Sequence, residues 1–228
     1  MDRHRDFDAL LCDIDGVIRY FDHRALHRDE QAAGLEPGTT LRVAFEPERQ
    51  VPLLLGRLTR SEWTASIAAG LTALVPAATA ASLAETFVQA PAWTDQVVLD
   101  LIARVRRVLP VALVTNATVW LDDDLALLGL ADVADHIVNS SRVGVAKPDP
   151  AIYAIAAERA GVPMQRCLFV DDNLANAEGA RAAGMTALHY REAADLQRVL
   201  APLLGGPDGD PDAGPALRPV VTPGTAPG

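Results

Sequence analysis

Mostly apolar runs at residues 7–12, 109–114, 136–139, 167–170 and 186–190 alternate with stretches of helical pattern, which leaves the chain few folds to choose from. Each run is short and bounded by polar residues, as expected of strands buried in a parallel sheet. The helices between them have legible ends. Asp149-Pro150 puts a capping acid before a proline in the first turn; Ile152, Ile155, Ala156 and Ala160 follow, and Gly161 closes the segment. Another helix is expected over 175–183, ended by Gly184. This alternation predicts an α/β fold with a doubly wound, Rossmann-like parallel sheet.

The first two runs lie far apart. Residues 20–108 separate them, many more than a strand–helix–strand crossover needs. Helical patterns at 22–34, from Thr59 or Ser61 onward, at 76–88 and at 94–109 fill most of that interval. An inserted helical cap over 20–108 is therefore expected, on an α/β core made of 1–19 and 109–204. The Gly- and Pro-rich segment 205–228 cannot build a core and is expected to be disordered. A chain of 228 residues, 50% of them hydrophobic, can bury such a core.

The formal charge of −10 argues against a nucleic-acid partner. An anionic ligand would need a local positive site within this acidic body. Cys12 and Cys167 both fall in strand-like runs, so they read as reduced core thiols. The first residues carry acids with no apolar stretch behind them, which predicts no signal peptide and a cytoplasmic setting. No charge falls between Glu62 and Glu85, but Pro76 splits that interval and Ala, Thr, Ser and Gly fill most of it. It reads as two helices outside any membrane.

The chemistry gathers at strand ends. Asp13 and Asp15 close the first run, two residues apart and so able to start on one face of a strand, and Gly16 lets the chain turn. Thr115 follows the second run, Lys147 precedes the helix begun by Asp149, and Asp171-Asp172 follow the fourth run. Ligands of open α/β sheets bind at the carboxyl ends of strands, so these distant residues are expected to converge. Four carboxylates crowded together repel one another unless a cation lies among them. An open, oxygen-only site suits Mg2+. With a phosphate added, Lys147 and the metal can neutralise its charge, Thr115 and backbone amides can donate to it, and one carboxylate is free to act as nucleophile while another handles protons.

These residues resemble the four motifs of the haloacid dehalogenase superfamily, in that family's order: Asp13-Ile14-Asp15-Gly16-Val17-Ile18, then Ala112-Leu113-Val114-Thr115-Asn116, then Lys147 in Gly144-Val145-Ala146-Lys147-Pro148-Asp149-Pro150, then Leu168-Phe169-Val170-Asp171-Asp172-Asn173. The likeness covers about residues 7–190. The segment from the second to the fourth motif is similar to the phosphatase domain of soluble epoxide hydrolases and to sugar-phosphate phosphatases of the same subgroup, and the long insert falls where that group carries a helical cap. The resemblance implies Asp13 as nucleophile and metal ligand, and Asp15 as general acid/base with its backbone carbonyl on Mg2+. It implies Thr115, Asn116, Gly16 and Lys147 around the phosphoryl group. Asp172 would bind the metal directly, with Asp171 acting through water or orienting Lys147. Dehalogenases of the superfamily lack the second aspartate, so Asp15 implies phosphoryl transfer: a phosphomonoesterase acting on a small phosphorylated metabolite, as monomer or homodimer.

Blander roles compete for other residues. Asp149 reads as a helix cap. His23, Arg24, His27, Arg28, Arg42, Arg57 and Arg60 read as a solvated cap surface. His136 and His189 read as structural. Trp63, Trp93 and Trp120 read as packing anchors, with Trp120 close enough to the second motif to line a site. A phosphomutase of the same fold would need a second anion site in the cap. A signalling receiver would place its phosphorylated aspartate on a later strand and would lack the insert.

Overall fold

The computed structural model describes residues 6–205. The expected disorder beyond the last helix, and the first five positions of the chain, lie outside the described residues. Along the chain, β1 (Ala9–Cys12) is followed by β2 (Arg19–Phe21) and by five helices, α1 (Arg24–Ala32), α2 (Thr39–Ala44), α3 (Pro47–Leu54), α4 (Arg60–Leu71) and α5 (Ala77–Val88). Then come β3 (Ala92–Thr94), α6 (Gln96–Arg106), β4 (Val111–Thr115), α7 (Leu121–Leu127), β5 (His136–Asn139), α8 (Ser140–Val143) and α9 (Pro150–Ala160). The described chain closes with β6 (Cys167–Asp171), α10 (Leu174–Ala182), β7 (Thr186–His189) and α11 (Ala193–Leu204).

Five strands form one parallel sheet in the order β5-β4-β1-β6-β7. It is the doubly wound α/β fold expected from the alternation. The first strand sits in the centre, and the chain winds outward from it in both directions. Such a switch opens a crevice at the carboxyl ends of the central strands.

The two-residue period of the strands sorts the core into two layers. Leu10, Cys12, Val111, Leu113, Leu168 and Val170 face one side, where Val98, Ile102 and Val105 of α6 and Leu196 and Leu200 of α11 meet them. Ala9, Leu11, Ala112, Val114, Cys167 and Phe169 face the other, against Ile152, Tyr153 and Ala156 of α9 and Ala180 of α10. Both cysteines are buried and free. Each buried Val, Leu or Ile contributes about 1.5–3 kcal/mol, enough to tie α6 to the sheet although its residues precede position 108. The helical period shows that a face is apolar without showing what it faces.

Helices α1–α5 have a core of their own, built on Leu26, Leu53, Trp63, Ile67, Leu71, Leu83 and Phe87. Thr59 is the residue that caps α4: its hydroxyl accepts from the Glu62 amide at 3.3 Å, and the Glu62 carboxylate accepts from the Thr59 amide at 2.8 Å. Buried Glu30 accepts from the amides of Gly38 and Thr40, both at 2.6 Å, and so fixes the turn into α2. This helical layer hangs from an antiparallel ribbon of β2 and β3, in which Tyr20 stacks on Trp93 at 4.6 Å. Among the described residues no helix is long and apolar enough to cross a membrane.

Candidate active site

Beyond β1 the chain turns tightly. The amides of Ile18 and Arg19 donate to the Ile14 carbonyl, each at 2.8 Å, and Gly16 adopts φ +83°. Only glycine takes that angle cheaply, and space demands it too: a Cβ on Gly16 would lie 2.1 Å from Asp172 Oδ2. The turn after β1 therefore presses directly on the carboxylate that follows β6.

Asp13 and Asp171 flank Lys147. The buried ammonium lies 2.8 Å from Asp13 Oδ1 and 2.6 Å from Asp171 Oδ2. Three carboxylates, Asp13, Asp171 and Asp172, each offer an oxygen within 4.8 Å of the others. Burial lifts the Asp13 carboxyl to about 7; Lys147 pulls it down and Asp171 pushes it up. Partial desolvation also raises Asp172, exposed though its surface is, with Asp171 adding to the effect and Lys147 opposing it. For Lys147, burial alone would lower the pKa, but the Asp13 and Asp171 charges outweigh it and the net shift is upward. Three convergent carboxylates facing one ammonium leave negative charge uncompensated. Oxygen-only donors on two adjacent strand ends suit a hard divalent cation such as Mg2+.

Asp171 is fully buried and heavily engaged. Besides Lys147 it accepts from the Asn173 amide at 2.8 Å and from Asn176 Nδ2 at 3.1 and 3.2 Å. Asp172 is exposed, and its carbonyl meets His189 Nε2 at 3.0 Å. The cap of α10 is Asn173, whose side chain accepts from the Ala175 amide at 2.9 Å. Asp149 caps α9 in the same way.

Thr115, buried at the end of β4, stands on the strand beside β1. Asn116, which the resemblance implies at the phosphoryl group, engages the Lys147 backbone through its side-chain amide. Its Nδ2 donates to the Lys147 carbonyl at 2.9 Å and its Oδ1 accepts from the Lys147 amide at 2.7 Å. Asn116 thereby sets the backbone that carries Lys147.

Asp15 faces the opposite way, toward the helical layer. Arg19 grips it with two donors, at 2.6 and 3.0 Å, and also lies 3.6 Å from Asp124. Arg60, from α4, pairs with Asp124 at 2.9 Å and sits 5.1 Å from the Trp120 ring centre. Sequence reasoning missed Arg19 and Asn176. The available signal was a lone arginine between Ile18 and Tyr20, inside an otherwise apolar run four residues after a site carboxylate. Of the cap residues read as a solvated surface, Arg60 and His23 line a cavity of about 470 Å³ between sheet edge and helices. Arg24 pairs with Asp22 at 2.6 Å in solvent. Trp63 and Trp120 line the cavity as well, whereas Trp93 is exposed against Tyr20.

Acids converging on the carboxyl edge of a doubly wound sheet, beneath an inserted helical layer, define a capped α/β hydrolase. The family is settled by sequence: residues 7–184 match the haloacid dehalogenase-like hydrolases, and the chain belongs to that family. A Mycobacterium tuberculosis protein named as a phosphatase is 42% identical over 84 residues, 36% of this chain and 39% of the relative. The rat bifunctional epoxide hydrolase 2 is 27% identical over 212 residues, 85% of this chain and 38% of the relative. The chain thus spans less than half the length of these curated relatives. In fold it is similar to a haloacid dehalogenase family enzyme of Bacteroides thetaiotaomicron, crystallised with magnesium and inorganic phosphate. The TM-score is 0.63 at 19% identity, covering 81% of this chain and 94% of that one. Relatives include proteins named as phosphatases and as dehalogenases.

Proposed function

We propose that the protein is a Mg2+-dependent phosphomonoesterase that hydrolyses a small phosphorylated metabolite through an aspartyl-phosphate. One observation carries this reading: the Asp13–Lys147–Asp171 cluster with Asp172 beside it, and a second carboxylate, Asp15, on the same turn. Mg2+, held by Asp13, Asp172 and the Asp15 carbonyl, would supply charge neutralisation for the phosphoryl oxygens. The engagement of Asp171 by Lys147, Asn173 and Asn176 favours Asp172 as its direct ligand.

The protein's own groups then divide the work. An Asp13 carboxylate oxygen attacks phosphorus as the bond to the alcohol oxygen breaks. Asp15 gives its proton to that departing oxygen. In the second step Asp15 takes a proton from water, the water oxygen attacks phosphorus, and the bond to Asp13 breaks to release phosphate. Lys147 and Thr115 hold the phosphoryl oxygens throughout. Arg19 engages both carboxylate oxygens of Asp15, so it must release one of them before Asp15 can pass a proton on. The phosphomutase alternative gains no support. Arg19 and Arg60, the arginines lining the cavity, each face a carboxylate rather than an open anion site.

The test sets the two chemistries of the family against each other. With Mg2+, purified protein should release phosphate from acetyl phosphate and from an aryl phosphate, and no chloride from 2-chloropropionate. Chloride release without phosphate release would overturn the reading.

A further inference from the structure

The cavity that opens on Asp15 is large enough for a small ring system and distinctly apolar. At about 470 Å³ it falls within the range of small-molecule sites. Its roof and walls include Leu41, Phe45, Leu53, Trp63, Phe87 and Trp120, contributed mainly by α2–α5. The Trp63 ring packs between Phe87 at 5.6 Å and Trp120 at 6.2 Å, with Phe45 at 6.3 Å. Asp15, Asn116, Ala117 and Thr118 form the floor, so whatever fills the cavity sits directly on the general acid/base candidate.

The polar side chains of this wall are largely engaged with one another. Arg19 holds Asp15, Arg60 holds Asp124, and Asn116 holds the Lys147 backbone through both ends of its amide. Two polar atoms stand apart. Trp63 Nε1 and His23 Nδ1 are buried without a hydrogen-bond partner. They flank the same ring: His23 stacks on Phe87 at 5.6 Å and Trp63 meets it edge-on at the same distance. Buried polar atoms in native proteins are almost always paired. Of the three such orphans among the described residues, two belong to side chains that line this cavity. The largely apolar lining offers few partners to the several hydroxyls of a hexose, each of which would lose its water on entering.

We propose that this cavity is the leaving-group site and that it takes a bulky, ring-bearing alcohol, hydrocarbon over most of its surface, in preference to a sugar or other polyol. This rests on the phosphomonoesterase reading. The phosphoryl group lies on the Asp13–Lys147 side of Asp15 and the alcohol on the aromatic side. Esterified at its oxygen, the alcohol presents that atom to Asp15 for protonation while its ring packs under Phe87 and Trp63.

Two measurements together test the proposal. First, cyclohexylmethyl phosphate and glucose 6-phosphate, both esters of primary alcohols, are offered with Mg2+. The cyclohexylmethyl ester should show a kcat/KM higher by at least about 100-fold, the scale on which apolar pockets discriminate against hydroxyl groups. Glucose 6-phosphate at par or better would overturn the proposal. Second, 2-naphthol and glucose are titrated into the protein by calorimetry, with no chemistry involved. The naphthol should bind, and Phe45→Ser should weaken it by at least about fivefold through lost apolar contact. Phe45 is 42% exposed, so this variant keeps the helical layer folded. Absence of naphthol binding, or binding indifferent to Phe45→Ser, would overturn the site. If neither ester is hydrolysed while naphthol binds as expected, the phosphomonoesterase reading fails and the apolar site stands.

Discussion

The two halves of the site, the charged sheet edge as its floor and the helical layer as its roof, are built on opposite principles. The floor, at the carboxyl ends of β1, β4 and β6, buries charge. Lys147, Asp13 and Asp171 have no exposure to spare, and each depends on a named partner at hydrogen-bond distance. The roof, α2–α5, buries rings. Trp63, Phe87 and Phe45 touch through faces and edges with no directional bond among them. A floor of this kind specifies one chemistry and tolerates no missing part. A roof of this kind specifies a shape and a polarity, and it can be remodelled by changes of volume.

The contrast can be broken at several places. The largest effect belongs to Asp13→Asn, which should reduce turnover of any phosphate ester by at least about 10^4-fold while leaving the circular-dichroism spectrum unchanged. The melting temperature should not fall, because the variant removes a carboxylate whose ionisation burial already opposes. Next is Lys147→Met. It leaves Asp13 and Asp171 buried without their cation and should cost about 3–5 kcal/mol in urea unfolding. A loss under about 1 kcal/mol would show that the floor does not depend on this pairing. Gly16→Ala should come third. Its Cβ would collide with Asp172 and strain a left-handed backbone, so half-saturation by Mg2+ should move up by about tenfold, for a cost of roughly 1–2 kcal/mol.

The smallest effect concerns protons. Without metal, Asp13 in the folded protein holds its proton up to about 7, above its ordinary 3.8. The folded state then binds more protons than the unfolded one between those values. Its stability should therefore decline as pH rises through that window. A divalent cation competes with the same proton, so Mg2+ affinity should rise with pH up to about 7 and level off above it. Calorimetry in buffers of different ionisation enthalpy should detect proton release at pH 6 and little at pH 8.

The floor was legible in the sequence because charge at the end of an apolar run is conspicuous. Asp13, Asp15, Thr115 and the Asp171-Asp172 pair stand at or just after strand ends, Lys147 stands just before α9, and the parallel topology does the rest. Arg19 was not legible in the same way. It sits between Ile18 and Tyr20, where one arginine reads as the solvent-facing residue of a strand, and its role depends on the tight turn at Gly16 that brings it back to Asp15. The ribbon escaped because β2 and β3 have three residues each, too few to display a period. Helix α2 escaped because six residues are too few to show a helical period, and α3 because Pro47 and Pro52 interrupt the pattern. In the roof the residues were visible but their direction was not. A tryptophan that packs a core and one that lines a cavity look identical in one dimension, and Trp63 does both.

The ribbon that joins the two regions begins at Arg19, and that same arginine grips Asp15. The suspension point of the helical layer and the clamp on the proton-handling carboxylate are thus one residue. A change in the tilt of the roof would therefore act on the Asp15 carboxylate through Arg19.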